Sequence, residues 1–343
     1  MNNPILKSKI IQQIRTFFDQ QGFQEVIIPV LHEAVPLEPN IYPFTTHWHA
    51  NNKTQTFYLP TSPEKYLKKM LAEGIGNCYA IGHTFRDLEG AGSLHSPEFL
   101  MLEWYRENAD YRKIMEDVEN LFSFIIEKLD TKIFVAPRIA TLLRGRPPAS
   151  RPSSVASDAI AKKIVSTPFK TKELWKTLSM IDLFQKYTGT PLIELLDDAV
   201  MKGFARKHGY STENASWQEL YDQIFVNEIE SQLPKEPFFL VDFPMRISPL
   251  CEPQKENPLF AQRFELYIDG IEIGNGNTER TDAEAVRKVF ELEQEKRKKE
   301  NKPFVPIDKE FLNSLRNMEG KKYAGIGLGV DRVVKLLTAS DSV

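Results

Sequence analysis

Residues 78–105 read CYAIGHTFRDLEGAGSLHSPEFLMLEWY, and this stretch decides the fold. It contains two apolar runs, at 78–82 and 99–105, which have the composition of strands. A polar loop with glycine and serine at 90–93 lies between them. Two such runs joined by a loop that contains glycine predict an antiparallel hairpin with a long tip.

The segment before this hairpin predicts a helix and then a strand. Residues 4–20 place five apolar side chains on one helical face: Leu6, Ile10, Ile14, Phe17 and Phe18. Gly22 is expected to end this helix. The apolar run at 25–31 predicts a strand, which Pro29 confines to a sheet edge or an interface, because proline lacks the N–H that a ladder needs.

The rest of the chain mixes strands and helices without strict alternation. Helices are predicted at 63–73, 110–128, 173–208, 216–232, 281–300 and 331–337. Strands are predicted at 237–242, 261–268, 270–274 and 323–328. This order indicates an α+β fold with an antiparallel sheet flanked by helices. The charged run EQEKRKKEN, within 281–300, is typical of a solvated helix face.

Composition excludes several classes of protein. The 343 residues carry a net charge of −3, which excludes a globally basic nucleic-acid binder. No apolar run approaches the ~20 residues of a membrane span, and the first residues do not resemble a signal peptide. Cys78 and Cys251 form neither a disulfide framework nor a zinc motif, so a cytoplasmic protein is expected. Residues 136–172, rich in Pro, Ser and Arg, predict a flexible insertion.

Two arginines have the surroundings of phosphate ligands. Arg86 ends the first hairpin strand, and Phe99 begins the second, where its ring could stack on a base. Taken alone, a surface arginine and a core phenylalanine explain these two residues better. Arg332 starts a helix, whose free N–H groups suit phosphate. The glycines of 325–329 are expected to let the backbone lie flat against a flat ligand.

Five carboxylates are candidate cation ligands. Glu265 and Glu272 flank a turn between consecutive strands, and pairing of these strands could bring both to one face, where they suit Mg²⁺. Such spacing is also common by chance. Glu64, Glu103 and Glu279 are the other three candidates. Burial of unpaired carboxylates is costly, so an ammonium group is their natural guest if they converge.

Three segments together resemble one family. GFQEVIIPVL at 22–31 resembles motif 1 of class II aminoacyl-tRNA synthetases, the 85–105 segment resembles motif 2, and GIGLGVDRVVKLL at 325–337 resembles motif 3. TSPEKYLKKML at 61–71 and RFELYIDGIEIGNG at 263–276 are similar to the lysyl branch, as are two further stretches, FPMRISPL and PEFLMLEWY.

The resemblance implies a single catalytic domain over 1–343, without an N-terminal anticodon-binding OB-fold. That architecture is similar to the elongation factor P–lysine ligases, which activate lysine or β-lysine with ATP as an adenylate. They transfer it to a lysine side chain of elongation factor P, and the family usually dimerises through motif 1. One alternative is a stand-alone lysyl-tRNA synthetase-like core that charges tRNA or makes another lysyl conjugate. A second is a non-catalytic regulator, because Asn277 stands where the lysyl branch usually has phenylalanine.

The resemblance also implies roles for twelve residues. ATP binding is implied for Arg86, Glu89, His95, Phe99 and Arg332. Of these, Arg86 and Arg332 are the expected catalytic residues, at the α- and γ-phosphates respectively. Binding of the amino-acid substrate is implied for Glu64, Glu103, Tyr105, Asn275 and Glu279. Mg²⁺ binding is implied for Glu265 and Glu272.

Overall fold

The computed structural model describes residues 4–88, 96–129 and 175–338. The insertion predicted at 136–172 lies outside these ranges. The strands are β1 (Gln24–Glu25), β2 (Thr45–Ala50), β3 (Lys53–Tyr58), β4 (Cys78–Phe85), β5 (Glu98–Glu107), β6 (Lys176–Ser179), β7 (Phe238–Val241), β8 (Arg263–Ile268), β9 (Ile271–Thr278) and β10 (Tyr323–Gly329).

Eight of these strands form one sheet within the described ranges, in the order β1-β4-β5-β10-β9-β8-β7-β6, while β2 and β3 form a separate hairpin. The six central strands pair antiparallel throughout. The outermost pairs, β1–β4 and β6–β7, are parallel. The predicted antiparallel hairpin of β4 and β5 and the α+β class are therefore confirmed, with parallel additions at both edges.

The helices cover both faces of this sheet. They are α1 (Pro4–Gln20), α2 (Glu64–Ala72), α3 (Tyr111–Lys128), α4 (Met180–Thr188), α5 (Leu192–Leu195), α6 (Asp198–Lys207), α7 (Trp217–Ile224), α8 (Ala283–Lys299), α9 (Lys309–Met318) and α10 (Val330–Thr338). Successive strand residues point to opposite faces. Trp104 accordingly packs in the core with α1, α3 and α10, whereas Tyr105 packs in the core with α2, α8 and α9.

The predicted first helix is confirmed residue by residue. Its five buried side chains are the five apolar residues of the predicted face. Gly22 follows in a left-handed conformation, with φ of 73°, which glycine adopts without steric cost. Within the described ranges, no helix is both long and apolar enough to cross a membrane.

The strand predicted at 25–31 is wrong beyond its first residue. Only β1 pairs with β4, and Val26 adds one further backbone hydrogen bond to Tyr79. After that the chain leaves the sheet, since Pro29 has no N–H to donate. The side chain of Ile27 is 93% exposed, whereas its neighbours Val26 and Ile28 pack against the core.

Two other elements differ from prediction. The helix predicted at 173–208 is divided into α4, α5 and α6, because Gly189 adopts φ of 72° and Pro191 follows it. The sequence patterns also missed the β2–β3 hairpin, β6 and α9. These elements are short or mostly polar, and so they carry little periodic signal.

Candidate active site

A cavity of about 1030 Å³ lies over the central strands. Ten of the twelve predicted site residues line it: Glu64, Arg86, Phe99, Glu103, Tyr105, Glu265, Glu272, Asn275, Glu279 and Arg332. The other two, Glu89 and His95, lie outside the described residues. Residues predicted from five separate segments of the chain therefore meet at one place.

Strand register brings several of these side chains together. Gly327 of β10 is paired with Glu103 of β5 on one side and with Asn275 of β9 on the other. Two residues along, Gly325 is paired in the same way with Tyr105 and Asn277. Because side chains alternate along a strand, the members of these two rows face the same side of the sheet.

The glycines of β10 make room for the protein's own side chains. A Cβ atom at Gly325 would lie 2.4 Å from the ring of Tyr105, and one at Gly327 would lie 3.3 Å from the sulfur of Met101. Gly325 and Gly327 also line the cavity, so a flat ligand against this glycine run stays a prediction.

An ammonium group of the protein itself lies among the acidic residues. Lys68, only 4% exposed, places Nζ 2.6 Å from Oε2 of Glu279 and in contact with Oε1 of Glu64. An ammonium group of a ligand was predicted at this place, but the ammonium group of Lys68 was not. The available signal was the spacing of Glu64 and Lys68, four residues apart on one helix, which favours an ion pair.

A second buried pair lies next to this ion-pair cluster. The hydroxyl of Tyr105 donates to Oε1 of Glu103 at 2.5 Å. Burial, followed by the nearby Glu64 carboxylate, raises the pKa of Glu103 well above its usual value. Burial and Glu103 likewise raise the pKa of Tyr105, so its hydroxyl keeps its proton and acts as the donor.

Opposing effects act on the pKa of the Glu279 carboxyl. Burial raises the pKa of its carboxyl, whereas the Lys68 ammonium and a hydrogen bond from the Asn277 side chain lower it, and the net shift is upward. Asn277 thus contributes a polar contact to this group. A further cation would strongly stabilise the ionised form of a buried carboxyl of this kind.

The two arginines are held by backbone carbonyls. Arg86 donates from Nε to the carbonyl oxygen of Thr61 at 3.2 Å, and its guanidinium carbon lies 5.3 Å from the centroid of the Phe99 ring. Arg332 donates from Nη1 to the carbonyl oxygen of Glu272 at 2.7 Å. Both guanidinium groups line the cavity, where their fixed forks suit phosphate or carboxylate oxygens.

Arg332 lies on a helix that is fastened to the hairpin. The neighbouring Asp331 accepts a hydrogen bond from the backbone N–H of Leu100 at 2.7 Å and forms a 2.6 Å ion pair with Lys7. These contacts join α10 to β5 and α1. The first turn of α10 is thereby fixed beside the cavity.

Glu265 and Glu272 form the candidate metal pair. Glu265 receives Nη2 of Arg263 at 2.8 Å and the hydroxyl of Tyr267 at 3.2 Å. Burial and the adjacent Glu272 raise the pKa of Glu265 to about 7, which a bound cation would reverse. Among the described residues, no group of three or more acidic, histidine or cysteine side chains is placed to hold a metal. The two carboxyls lie on neighbouring strands and offer oxygen ligands of the kind that Mg²⁺ takes, so a phosphate ligand would have to supply further oxygens.

Four carboxyl groups that line the cavity were not predicted from the sequence: Glu38, Glu98, Asp222 and Asp331. Glu38 lies before the β2–β3 hairpin, in a stretch with neither strand nor helix, and it lines the same cavity. No motif or periodicity distinguishes it in the sequence. Its presence could be found only from the folded arrangement.

Comparison with known proteins gives one consistent result. The family described as tRNA synthetases class II (D, K and N) matches residues 1–343. The lysine–tRNA ligase of Carboxydothermus hydrogenoformans is 32% identical over 341 residues, which cover 99% of this chain and 63% of that protein. The Staphylococcus saprophyticus lysine–tRNA ligase is 32% identical over 340 residues, 99% of this chain and 62% of its own length. The Listeria monocytogenes enzyme is 31% identical over 345 residues, with 100% and 62% coverage. The chain thus spans less than two thirds of these curated relatives.

Proposed function

This chain belongs to the class II tRNA synthetases (D, K and N), and on that basis we propose that it activates lysine with ATP to form lysyl-adenylate. One observation carries the proposal: Glu64, Glu103 and Glu279 converge in the cavity that Arg86 also lines. Such a cavity can hold the two ammonium groups and the carboxylate of lysine together.

The activation step needs positioning and charge neutralisation rather than a protein nucleophile. The substrate carboxylate attacks the α-phosphorus of ATP, and pyrophosphate leaves with the bonding electrons. Arg86 orients the carboxylate and the α-phosphate, while Arg332 neutralises charge on the γ-phosphate. Phe99, next to Arg86, offers a face for the adenine ring.

Glu265 and Glu272 would hold Mg²⁺. Once bound, the ion neutralises charge on the phosphate oxygens and the leaving pyrophosphate. Burial, together with repulsion from Glu272, raises the pKa of Glu265 to about 7, and this supports a cation at this point.

Selectivity for lysine follows from the buried carboxyls. Glu103 and Glu279 are 4% and 5% exposed, so an uncharged analogue that occupies their site adds no donor to either carboxyl: Glu103 keeps only the Tyr105 hydroxyl, and Glu279 keeps only its internal partners Lys68 and Asn277. A site built for charged hydrogen-bond donors rejects analogues that lack them strongly. Norleucine, which lacks the terminal ammonium, is therefore expected to be a very poor substrate.

For the acceptor, we propose a lysine side chain of elongation factor P. Its amine nitrogen attacks the acyl carbon, AMP leaves with the bonding electrons, and the nitrogen loses a proton. The net charge of −3 for the whole chain favours a cationic side chain over a polyanion as acceptor.

A tRNA acceptor is the second candidate, because the similar proteins are lysine–tRNA ligases. Labelled lysine, ATP and the protein are incubated in parallel with elongation factor P and with tRNA. Label on the protein acceptor alone supports the proposal. Label on tRNA alone would mean that the acceptor is tRNA and not elongation factor P. ATP binding without adenylate formation would favour a regulator.

We also propose a homodimer. The resemblance to motif 1 and the apolar exposure of the segment after β1 support it, since Ile27, Val30 and Leu31 are 93%, 45% and 52% exposed. Exposed apolar side chains of this kind are typical of an interface between copies of a chain.

A further inference from the structure

Two exposed histidines lie side by side on the β2–β3 hairpin. His47 and His49 are two residues apart on β2, so their side chains point to the same face of the strand. Their ring centroids lie 6.4 Å apart, with an angle of 47° between the ring planes. A metal–imidazole bond is ~2.1 Å long, so small rotations of these two exposed side chains bring both rings onto one ion.

The register of the hairpin that carries these histidines is fixed by its turn. The two-residue turn, Asn51–Asn52, has φ values of 50° and 58°, and a type I′ turn requires a positive φ at both positions. The pairing of the two strands then continues without a shift. His47 is thereby placed opposite Thr56, and His49 opposite Thr54.

Both imidazole rings are held through the same ring nitrogen. Nδ1 of His49 lies 3.0 Å from the hydroxyl oxygen of Thr54, and Nδ1 of His47 lies 3.3 Å from that of Thr56. Among the residues that the structure describes, neither Nε2 atom has a hydrogen-bond or ion-pair partner. A hydroxyl group both donates and accepts, so each ring is free to carry its proton on Nδ1 and its lone pair on Nε2.

Histidines that bind metal ions have the same arrangement. Such an imidazole binds the ion through one nitrogen and donates the N–H of the other nitrogen to an oxygen, which orients the ring. The remaining side chains on this face of the hairpin are uncharged: they belong to the two threonines, to Thr45 and to Tyr58. The hairpin therefore places no lysine or arginine on this face, where it would repel a cation.

We propose that His47 and His49 bind a divalent transition-metal ion, each through Nε2. Imidazole ligands suit Zn²⁺, Cu²⁺ and Ni²⁺, whereas Mg²⁺ takes oxygen ligands. Two protein ligands leave the other coordination positions to water or to a ligand from outside the chain. No residue of the hairpin lines the cavity described above, so this site and the Glu265–Glu272 pair are separate, and the inference does not depend on lysine activation.

The test is calorimetric titration of Zn²⁺ into the full chain, prepared without a histidine tag. Excess Mg²⁺ is present, so that carboxylate sites are occupied. His47→Ala and His49→Ala each remove one ligand. The matched control is His208→Ala: His208 is exposed and its Nδ1 lies 3.0 Å from the carbonyl oxygen of Phe204, but no histidine lies two residues away.

One Zn²⁺ ion per chain is expected for the wild type and for His208→Ala. Loss of a ligand should cost at least as much affinity as the ~10-fold that is lost with an outer hydrogen-bond partner, so the dissociation constant should rise by more than this factor in His47→Ala and in His49→Ala. The proposal would be overturned by a wild type that binds no Zn²⁺, or by equal weakening in His208→Ala. A double variant that binds Zn²⁺ as tightly as the wild type would mean an adventitious ion only, and would also overturn it.

Replacement of Thr54 by Val tests whether the threonines orient the ligands. Valine keeps the branched shape that suits a strand and removes the oxygen that holds Nδ1 of His49. The dissociation constant for Zn²⁺ should then rise about tenfold, although both histidines remain. The control is Thr46→Val on the opposite face of β2, which should leave the affinity unchanged. Equal affinities in the two variants would overturn the orienting role of Thr54.

Discussion

Nζ of Lys68 lies 2.6 Å from Oε2 of Glu279, so the protein's own ammonium occupies part of the acidic cluster proposed to bind lysine. Lys68 also contacts Glu64, and it therefore links two carboxyls from α2 and from the end of β9. The substrate then meets carboxyls that are already held in place and partly compensated. This arrangement keeps several acidic groups buried together before lysine arrives.

Replacement of Lys68 by Met should destabilise the protein by about 3–5 kcal/mol, because two buried carboxyls lose their cation. The loss of unfolding free energy should be larger at pH 8 than at pH 5. Removal of Lys68 raises the pKa of Glu279 further, and an acid whose pKa is raised in the folded state costs stability as the pH increases. Urea unfolding measures both effects.

The matched control is Lys113→Met, which breaks an exposed ion pair with Glu116. That change should cost less than about 1 kcal/mol. If both variants lost the same free energy of unfolding, Lys68 would not be a counterion of the acidic cluster.

Replacement of Arg86 by Ala should lower the rate of adenylate formation by about 10³-fold or more, because a fixed cation at the transferring group is lost. Arg86→Lys keeps the charge but not the bidentate fork, so it should restore only part of the rate. Single-turnover measurement of adenylate checks both. Arg15→Ala, which removes an exposed partner of Glu25, serves as the control and should be fully active.

Replacement of Gly325 by Ala should displace the Tyr105 ring, because the new Cβ would lie 2.4 Å from it. Overpacking of this kind costs about 1–3 kcal/mol. The displaced hydroxyl no longer holds Glu103, so the KM for lysine should rise more than the KM for ATP. Exchange kinetics and unfolding measure the two effects.

The control for this variant is Gly203→Ala on α6, where nothing lies within 4 Å of the added Cβ. Alanine there should raise stability by about 0.5–1 kcal/mol, since alanine favours a helix interior. Unchanged lysine kinetics in Gly325→Ala would contradict the positioning of Glu103 by Tyr105.

Replacement of Ile27 by Asp should convert the dimer to a monomer, because a carboxylate would be buried in the proposed interface. Light scattering after gel filtration measures the mass. Leu292→Asp is the control on α8, where Leu292 is 67% exposed and belongs to no proposed interface. A wild-type monomer, or a dimer that persists in Ile27→Asp, counts against the proposed interface.

The sequence predicts the parts of the fold that local patterns determine. The hairpin of β4 and β5 and the buried face of α1 follow from runs and periods within a few residues, and the structure confirms both. The convergence of the predicted site residues could be expected only from the resemblance to a family. No local pattern shows that Glu103 and Asn275 are both paired with Gly327.

Two buried charged residues, Arg297 and Lys68, were not predicted to be buried. The run EQEKRKKEN was predicted to be a solvated face, but Arg297 within it is 2% exposed and supports the backbone of Glu38. Lys68 is buried by an equally distant partner, Glu279. A charged residue indicates exposure until its partners are known, and some partners of Arg297 and Lys68, the Glu38 carbonyl and Glu279, lie far away in the chain.

The most direct measurement is ATP–pyrophosphate exchange with Mg²⁺, against each amino acid in turn and against β-lysine. We expect exchange that depends on lysine or β-lysine, is lost without Mg²⁺, and is at least 10³-fold weaker with norleucine. Exchange supported by a neutral or acidic amino acid, or no exchange with any amino acid by a protein that binds ATP, would contradict this expectation.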